Sequence, residues 1–339
     1  MTTPLRIGTL GTGSIVARAL LGPASEVPEV TVAAVASRSP EKARSYADTH
    51  GIAKACRYDE LIADPDIDIV YIALPNSMHA EWSIRALKAG KHVLCEKPMT
   101  SNLAQANEVA AEAGRSPGVY MEAFHFPYHP FAKRVRDILD TRAIGRILSA
   151  DAQFQIPARA FTPTNIRFNF ELAGGAMMDA GCYVVQALRS MLGESRQVLD
   201  AVATVDRADP RVDTGMRATV EFEGDRRATL CASFLAGEKA AVDITLRGES
   251  GQLTISSLYV PQWGGALRLE LAGRTYSEAA EPTPSYVFQL RELVRCVRDG
   301  APVLTSAANG AANMSLIDAI YQKAGLPLRG DSDPGFSAS

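Results

Sequence analysis

The chain has 339 residues, 47% hydrophobic and 22% charged; at roughly 150 residues per domain this predicts two globular units and excludes disordered and collagen-like states. Lys and Arg number 35 against 38 Asp and Glu, a formal net charge of −3, and no basic run is long enough to track a phosphate backbone, so nucleic acid is not an expected partner. The cysteines Cys56, Cys95, Cys182, Cys231 and Cys296 contain no CxxC pair, which fits a reducing compartment rather than a disulfide framework or a zinc site. With no basic leader and no apolar run beyond about 8 residues, the expectation is a cytoplasmic protein without a membrane span.

Short apolar runs at 6–10, 30–36, 69–74, 92–95 and 119–124 read as buried strands, and helical signals fill the gaps between them. The first run ends in Gly11-Thr12-Gly13-Ser14-Ile15-Val16. A Gly-x-Gly turn between strand and helix lets backbone approach a pyrophosphate, which then sits on the helix N–H groups. Val16 takes the place of a third small residue, a departure that affects helix-strand packing more than the phosphate turn. The second run ends in Ser37-Arg38-Ser39, with Lys42 one turn on, where an acidic residue would accept from a ribose 2′-hydroxyl. Hydroxyls and a guanidinium favour a 2′-phosphate instead, so NADP(H) is expected over NAD(H), with NAD(H) kept as the second option. Ser39 and Pro40 open a helix that stops at Gly51, and the helical stretch 78–89 stops at Gly90. Buried strands alternating with helices predict a Rossmann-type, doubly wound parallel sheet.

After Pro127 the pattern changes. A helix at 130–139 leads to an alternating strand at 147–156, an irregular segment at 157–165, and a Gly-Gly pair that opens a helix at 176–192. Alternating strands follow at 198–205, 216–222, 228–234, 241–247, 252–255 and 267–271. They predict an α/β domain with a large, mostly antiparallel open sheet. Helices at 286–299 and 307–324 close the chain, and the tail beyond Pro327 is expected to fray. The resulting division is a dinucleotide-binding domain at 1–124, a substrate and oligomerisation domain at 125–330 whose last helix can pack back on the first domain, and a tail at 331–339.

Three further segments carry a resemblance: Pro75-Asn76-Ser77-Met78-His79, the run Ala89 to Pro98 with its Glu96-Lys97-Pro98 box, and Gly174-Gly175-Ala176-Met177-Met178-Asp179-Ala180-Gly181-Cys182-Tyr183. In this order, over nearly the whole chain, the sequence resembles the Gfo/Idh/MocA oxidoreductases, the family of glucose-fructose oxidoreductase and inositol dehydrogenase. The resemblance implies a Rossmann domain, a C-terminal domain with an open antiparallel sheet through which members often pair, and hydride transfer between a nicotinamide and a secondary alcohol. It also implies a cis bond before Pro98. Tyr183 stands where inositol dehydrogenases have His, which is similar to the glucose-fructose oxidoreductase and dihydrodiol dehydrogenase branch.

The residues support the same chemistry. Lys97 follows a parallel strand and so lies at the carboxyl edge, where doubly wound folds bind ligands. Asp179 and Tyr183, four apart on a helix, share a face. Alcohol oxidation needs a base for the hydroxyl proton. Tyr183 is the candidate, and its reference pKa near 10 must fall by about 3 units, or about 4 kcal/mol. One ammonium about 4 Å away supplies energy of that order at an effective dielectric near 20, the role given to Lys97, with Asp179 orienting a substrate hydroxyl or Lys97. Leu74, Pro75, Asn76, His79, Glu96 and Glu122 are expected to line the cofactor groove, Glu96 toward the nicotinamide ribose. His125, Phe154, Arg167 and Asn169 are weaker substrate-contact candidates, and Phe161, Phe168 and Trp263 could extend an apolar wall. No metal site is expected, because His125 and His129 have no Asp or Cys at ligand spacing.

These readings define an NADP(H)-dependent enzyme acting on a sugar or sugar derivative, with a small-molecule substrate and a homodimer or larger assembly as partners. The alternatives are a dihydrodiol-type dehydrogenase with an apolar cyclic substrate and a non-catalytic cofactor sensor. Retention of both Lys97 and Tyr183 argues against the sensor.

Overall fold

The computed structural model describes residues 3–162, 164–237 and 239–330; the expected fraying of 331–339 lies outside them. The chain forms two units, Met1–His125 with Pro284–Ala311, and Phe126–Thr283 with Ala312–Ser339.

In the first unit, β1 (Leu5–Leu10), β2 (Val30–Ala36), β3 (Lys54–Cys56), β4 (Ile69–Ile72), β5 (His92–Cys95) and β6 (Tyr120–Glu122) form a sheet in the order β3-β2-β1-β4-β5-β6. All its pairings are parallel, the Rossmann arrangement, whose strand order reverses between β1 and β4. Ile7, Leu10, Val35, Ile69, Ile72, Val93 and Leu94 are fully or almost fully buried, as strands covered on both faces require. Helices follow their expected signals: Ser39 caps Pro40–His50 through the Lys42 amide at 3.2 Å, and Gly51 ends that helix in the left-handed region.

Two elements here have no clear sequence pattern. β3 is three residues at a sheet edge, and the helix Tyr58–Ala63 starts without a Ser, Thr or Asp cap; instead the Arg57 amide donates to Glu60 Oε2 at 2.8 Å. The segment Pro284–Ala311, assigned from sequence to the second domain, clusters with this unit. The helix Ser285–Asp299 packs on the short helix Gly22–Ala24, and Thr305 exchanges backbone and side-chain hydrogen bonds with Glu122 at the end of β6. The helix Ala307–Lys323 crosses from one unit into the other along its length.

The second unit carries β7 (Ile147–Pro157), β8 (Ser195–Val205), β9 (Asp213–Phe222), β10 (Arg226–Ala236), β11 (Ala241–Gly248), β12 (Gly251–Ser256), β13 (Ala266–Leu271) and β14 (Arg274–Ala279), in the order β14-β13-β12-β11-β7-β10-β9-β8. Only β7 and β10 pair in parallel. Alternation puts Ala152, Ala218, Val220, Leu230, Phe234, Leu246 and Ile255 on one face, and the helix Cys182–Leu192 packs over β7 and β10. β14 is exposed along its whole length and so shows no apolar alternation. It is set by the turn Ala272-Gly273, where φ is 47° and 76°, the positive pair of a two-residue hairpin.

Along β10, Leu230, Ala232 and Phe234 are buried, while Thr229, Cys231 and Ser233 are half-buried on the other face, where Leu235 is exposed. Arg247 pairs with Asp151 across neighbouring strands, so the open face is mainly polar with scattered apolar side chains.

Candidate active site

At the switch point of the first sheet, Gly11 has φ +106°, and a Cβ there would meet the Ala73 carbonyl oxygen at 2.4 Å. Gly13 is exposed, and a Cβ would meet only Ile15 Cγ2 at 3.9 Å, leaving an open approach to the backbone at the start of the helical run 14–24. This cradle fits a pyrophosphate. The run contains a π turn, Ala17–Leu21, in which the Gly22 amide reaches back to Ala17 O just before Pro23. Val16 is fully buried, so the larger residue is accommodated. Ser37 is nearly buried and accepts from the Ser39 amide at 3.4 Å, whereas Ser14, Arg38 and Lys42 are exposed at the same sheet edge.

Register sets Arg38 beside a residue that sequence reading missed. Ala36 pairs with Cys56, and the Ser37 amide donates to the Cys56 carbonyl at 3.2 Å. Tyr58 follows two residues later, 8% exposed, with its ring edge-on to Trp82 at 4.9 Å. Burial raises the Tyr58 pKa, and the adjacent Arg38 cation and its hydrogen bond to the hydroxyl oppose that rise.

At the carboxyl ends of β4 and β5, Lys97 is half-buried and the Lys97–Pro98 bond is cis. Leu74, Pro75 and Asn76 are half-buried on the loop after β4. His79, expected to line the groove, is fully buried instead. Its Nδ1 lies 2.7 Å from the Pro98 carbonyl and its Nε2 2.9 Å from the Leu74 carbonyl, so it ties the two loops together. Burial lowers its pKa while the two carbonyls favour the protonated ring.

Glu96 receives the Tyr71 hydroxyl at 2.6 Å, and burial pushes its carboxyl pKa up. Glu122 is 1% exposed and accepts from the Met99 amide at 2.8 Å, which gives it a bracing position behind the Lys97-Pro98 turn. His125, a substrate candidate by sequence, is 1% exposed, 2.7 Å from Ser285 Oγ and 3.9 Å from the Tyr286 ring centroid. That environment is internal to the first unit.

In the second unit the run 177–192 begins as a π turn, Met177–Gly181, and continues as the helix Cys182–Leu192. Asp179 accepts from Arg167 Nε at 2.6 Å; within this unit its carboxylate is thus an ion-pair partner of Arg167, which also reaches Asn165 Oδ1 at 3.3 Å. Tyr183 is 8% exposed, with ring centroids of Phe154, Tyr259 and Phe126 at 5.6, 5.7 and 6.1 Å. Tyr259, fully buried and stacked on Phe154 at 5.2 Å, is a second residue the sequence did not single out. Phe161 and Phe168 pack with Phe234 in an adjoining cluster, but Trp263 is 65% exposed and does not extend the wall. Asn169 is exposed and accepts from the Leu172 amide at 3.2 Å, the bond of a local cap.

Among the described residues no cluster of three or more His, Cys, Asp or Glu could hold a metal ion, and no helix is long and apolar enough to cross a membrane.

A Rossmann sheet with an open glycine cradle, joined in one chain to an open antiparallel sheet bearing the Asp179–Tyr183 helix, defines a two-unit dinucleotide-dependent oxidoreductase. Residues 5–124 match the oxidoreductase family with an NAD-binding Rossmann fold and residues 132–254 match the GFO/IDH/MocA C-terminal domain; the chain belongs to the Gfo/Idh/MocA oxidoreductase family. It is 34% identical over 328 residues, 94% of this chain and 97% of the relative, to D-xylose 1-dehydrogenase (NADP(+)) 2 of Haloferax volcanii. It is 35% identical over 334 residues, covering 95% and 96%, to dTDP-3,4-didehydro-2,6-dideoxy-alpha-D-glucose 3-reductase of Streptomyces violaceoruber. The crystal structure of a 3-ketoreductase from Actinomadura kijaniata with NADP and TDP-benzene superposes with a TM-score of 0.85 at 29% identity, covering 95% of this chain and 98% of that one.

Proposed function

We propose that this protein is an NADP(H)-dependent oxidoreductase that exchanges a hydride with a secondary alcohol or ketone on a sugar or sugar derivative. The observation that carries the reading is Tyr183, nearly buried among aromatic rings on the same helical run as the Arg167-paired Asp179. The sugar substrates and NADP in the names of its relatives support it, as do the exposed Arg38 and Lys42 beside the glycine cradle.

Gly11 and Gly13 would admit the pyrophosphate, Ser37, Arg38 and Lys42 the 2′-phosphate, and Glu96 the nicotinamide ribose. When bound, the nicotinamide supplies or accepts the hydride. Tyr183 Oη takes the substrate hydroxyl proton in oxidation and returns it in reduction. The sequence motif gives Lys97 the role of the cation that would favour the phenolate, since a nearby positive charge stabilises the ionised form. Phe126, Phe154 and Tyr259 exclude water and offer faces for a ring to stack on. Arg167 fixes the Asp179 carboxylate, which would orient a substrate hydroxyl.

Tyr183→Phe is expected to lower turnover by about 10²-fold or more, with NADP(H) binding nearly unchanged. Lys97→Ala should cost at least as much and move the alkaline rise in oxidation rate to higher pH; in Tyr183→Phe that limb should vanish. Steady-state pH profiles measure both, and a Tyr183→Phe enzyme with the wild-type profile would transfer the proton role elsewhere. The aromatic wall also suits an apolar ring, which keeps the dihydrodiol reading in play. A panel of sugars and a trans-dihydrodiol, followed at the nicotinamide absorbance, separates the two, and inertness toward every substrate would favour a sensor.

A further inference from the structure

Asp213 opens β9 and Arg329 lies 116 residues further on, beyond the last helix, yet both side chains are completely buried and Arg329 Nη2 meets Asp213 Oδ1 at 2.6 Å. The same guanidinium donates from Nε to the Gly174 carbonyl at 2.7 Å and from Nη1 to the Pro327 carbonyl at 2.9 Å, and it lies 4.2 Å over the Tyr321 ring. The Tyr321 hydroxyl donates to Asp213 Oδ1 at 2.8 Å. Asp213 Oδ2 accepts from the backbone amide of Met177 at 2.7 Å, the first residue of the π turn that carries Asp179.

This explains the Gly-Gly pair ahead of the helix. A Cβ on Gly175 would stand 2.1 Å from Asp213 Oδ1 and 2.9 Å from Arg329 Nη2, and one on Gly174 would stand 2.5 Å from the Arg167 carbonyl oxygen. The glycines let the backbone close onto a buried ion pair and onto the segment that supplies Arg167.

We infer that Arg329 is a positioning residue for the reaction: through Asp213 and the Gly174 carbonyl it sets the first turn of the helical run, and with it the placement of Asp179 and Tyr183. The inference rests on the functional reading above for its catalytic consequence. A buried guanidinium bonded to a carboxylate and a carbonyl fixes direction as well as distance, because its donors form a rigid planar fork. Lysine keeps the charge without the fork.

The test uses full-length Arg329→Lys and Arg329→Met, with Tyr321→Phe, which removes one donor from Asp213, as a milder variant should Arg329→Met fail to fold. Arg329→Met is expected to lower kcat at least 10-fold and to leave the NADPH dissociation constant within 2-fold. Arg329→Lys should fall between it and wild type. Amide hydrogen exchange should speed up at least 10-fold in residues 176–183 of Arg329→Met while 184–192 stay protected; for Tyr321→Phe the same segment should show a smaller increase. Unchanged exchange at 176–183, or a wild-type kcat in a folded Arg329→Met, overturns the inference. Exchange needs no turnover, so a fully active Tyr183→Phe enzyme would sink the functional reading separately and leave the exchange result standing.

Discussion

Arg38 and Tyr58 together decide how the end of β2 presents a cation. Arg38 is exposed and Tyr58 is held by its own burial and by Trp82, so the hydroxyl offers the flexible guanidinium a fixed neighbour. Arg38→Ala should weaken NADP(H) by about 1.5–3 kcal/mol, the scale of a charged hydrogen bond, and leave NAD(H) nearly unchanged. Tyr58→Phe keeps the ring packing and should cost less, about 0.5–1.5 kcal/mol in the same direction. Fluorescence titration with both cofactors checks this; equal affinities in the wild type would contradict it. Glu96 gives a pH-dependent case. Burial raises its folded pKa, so stability is greatest with the carboxyl protonated, below the unfolded value, and is lost as pH rises through the folded value. Glu96→Gln should therefore melt higher than wild type at pH 7.5, by an amount that shrinks as pH falls toward about 4.5. Thermal unfolding followed across that range gives the sign directly.

At the scale of elements, both helical runs that carry site motifs contain a π turn, Ala17–Leu21 and Met177–Gly181. Such turns concentrate at functional positions. In the second, Asp179 lies in the π turn and Tyr183 in the helix that continues it, four residues apart. What the interval did not convey is the anchoring of the run by the Met177 amide on Asp213 and of Asp179 by Arg167. Gly175→Ala should destabilise the fold by about 2 kcal/mol or more, because φ of +133° and a carboxylate oxygen at 2.1 Å impose both backbone strain and overpacking. Chemical denaturation at constant m value measures it, and a neutral result would mean that the ion pair can retreat. The short elements β3 and Tyr58–Ala63 were illegible because three to six residues hold too little periodicity, and β14 because pairing with β13 rather than burial defines it.

For the whole molecule, self-association is expected through the open sheet. Leu148, Val202 and Leu235 are exposed among polar neighbours in the second unit, and a symmetric pair would cover sheet surface that one chain leaves open. Light scattering across micromolar concentrations should report a dimer or larger; a persistent monomer would refute it. Because the outer face of β10 carries Thr229 and Ser233 beside Cys231 and Leu235, and Arg247 of β11 pairs with Asp151 of β7, such an interface would rely on hydrogen bonds and ion pairs as well as apolar contact. The five cysteines form no disulfide, and all but Cys231 are buried.

By itself the sequence determined the parallel and antiparallel sheets, the glycine cradle, the Lys97-Pro98 turn and the Asp179–Tyr183 helix. Each of these is written in residues adjacent in the chain, where periodicity, caps and turn chemistry act locally. Tertiary structure alone decided that His79, Glu122 and His125 are internal braces, that Asn169 is a cap, that Tyr58 stands beside Arg38, and that Pro284–Ala311 clusters with the first unit. It alone joined Arg329 to Asp213 across 116 residues. Polar side chains carry no local sign of whether they will meet water, a ligand or a buried partner, and that choice is made by which distant backbone the fold brings against them.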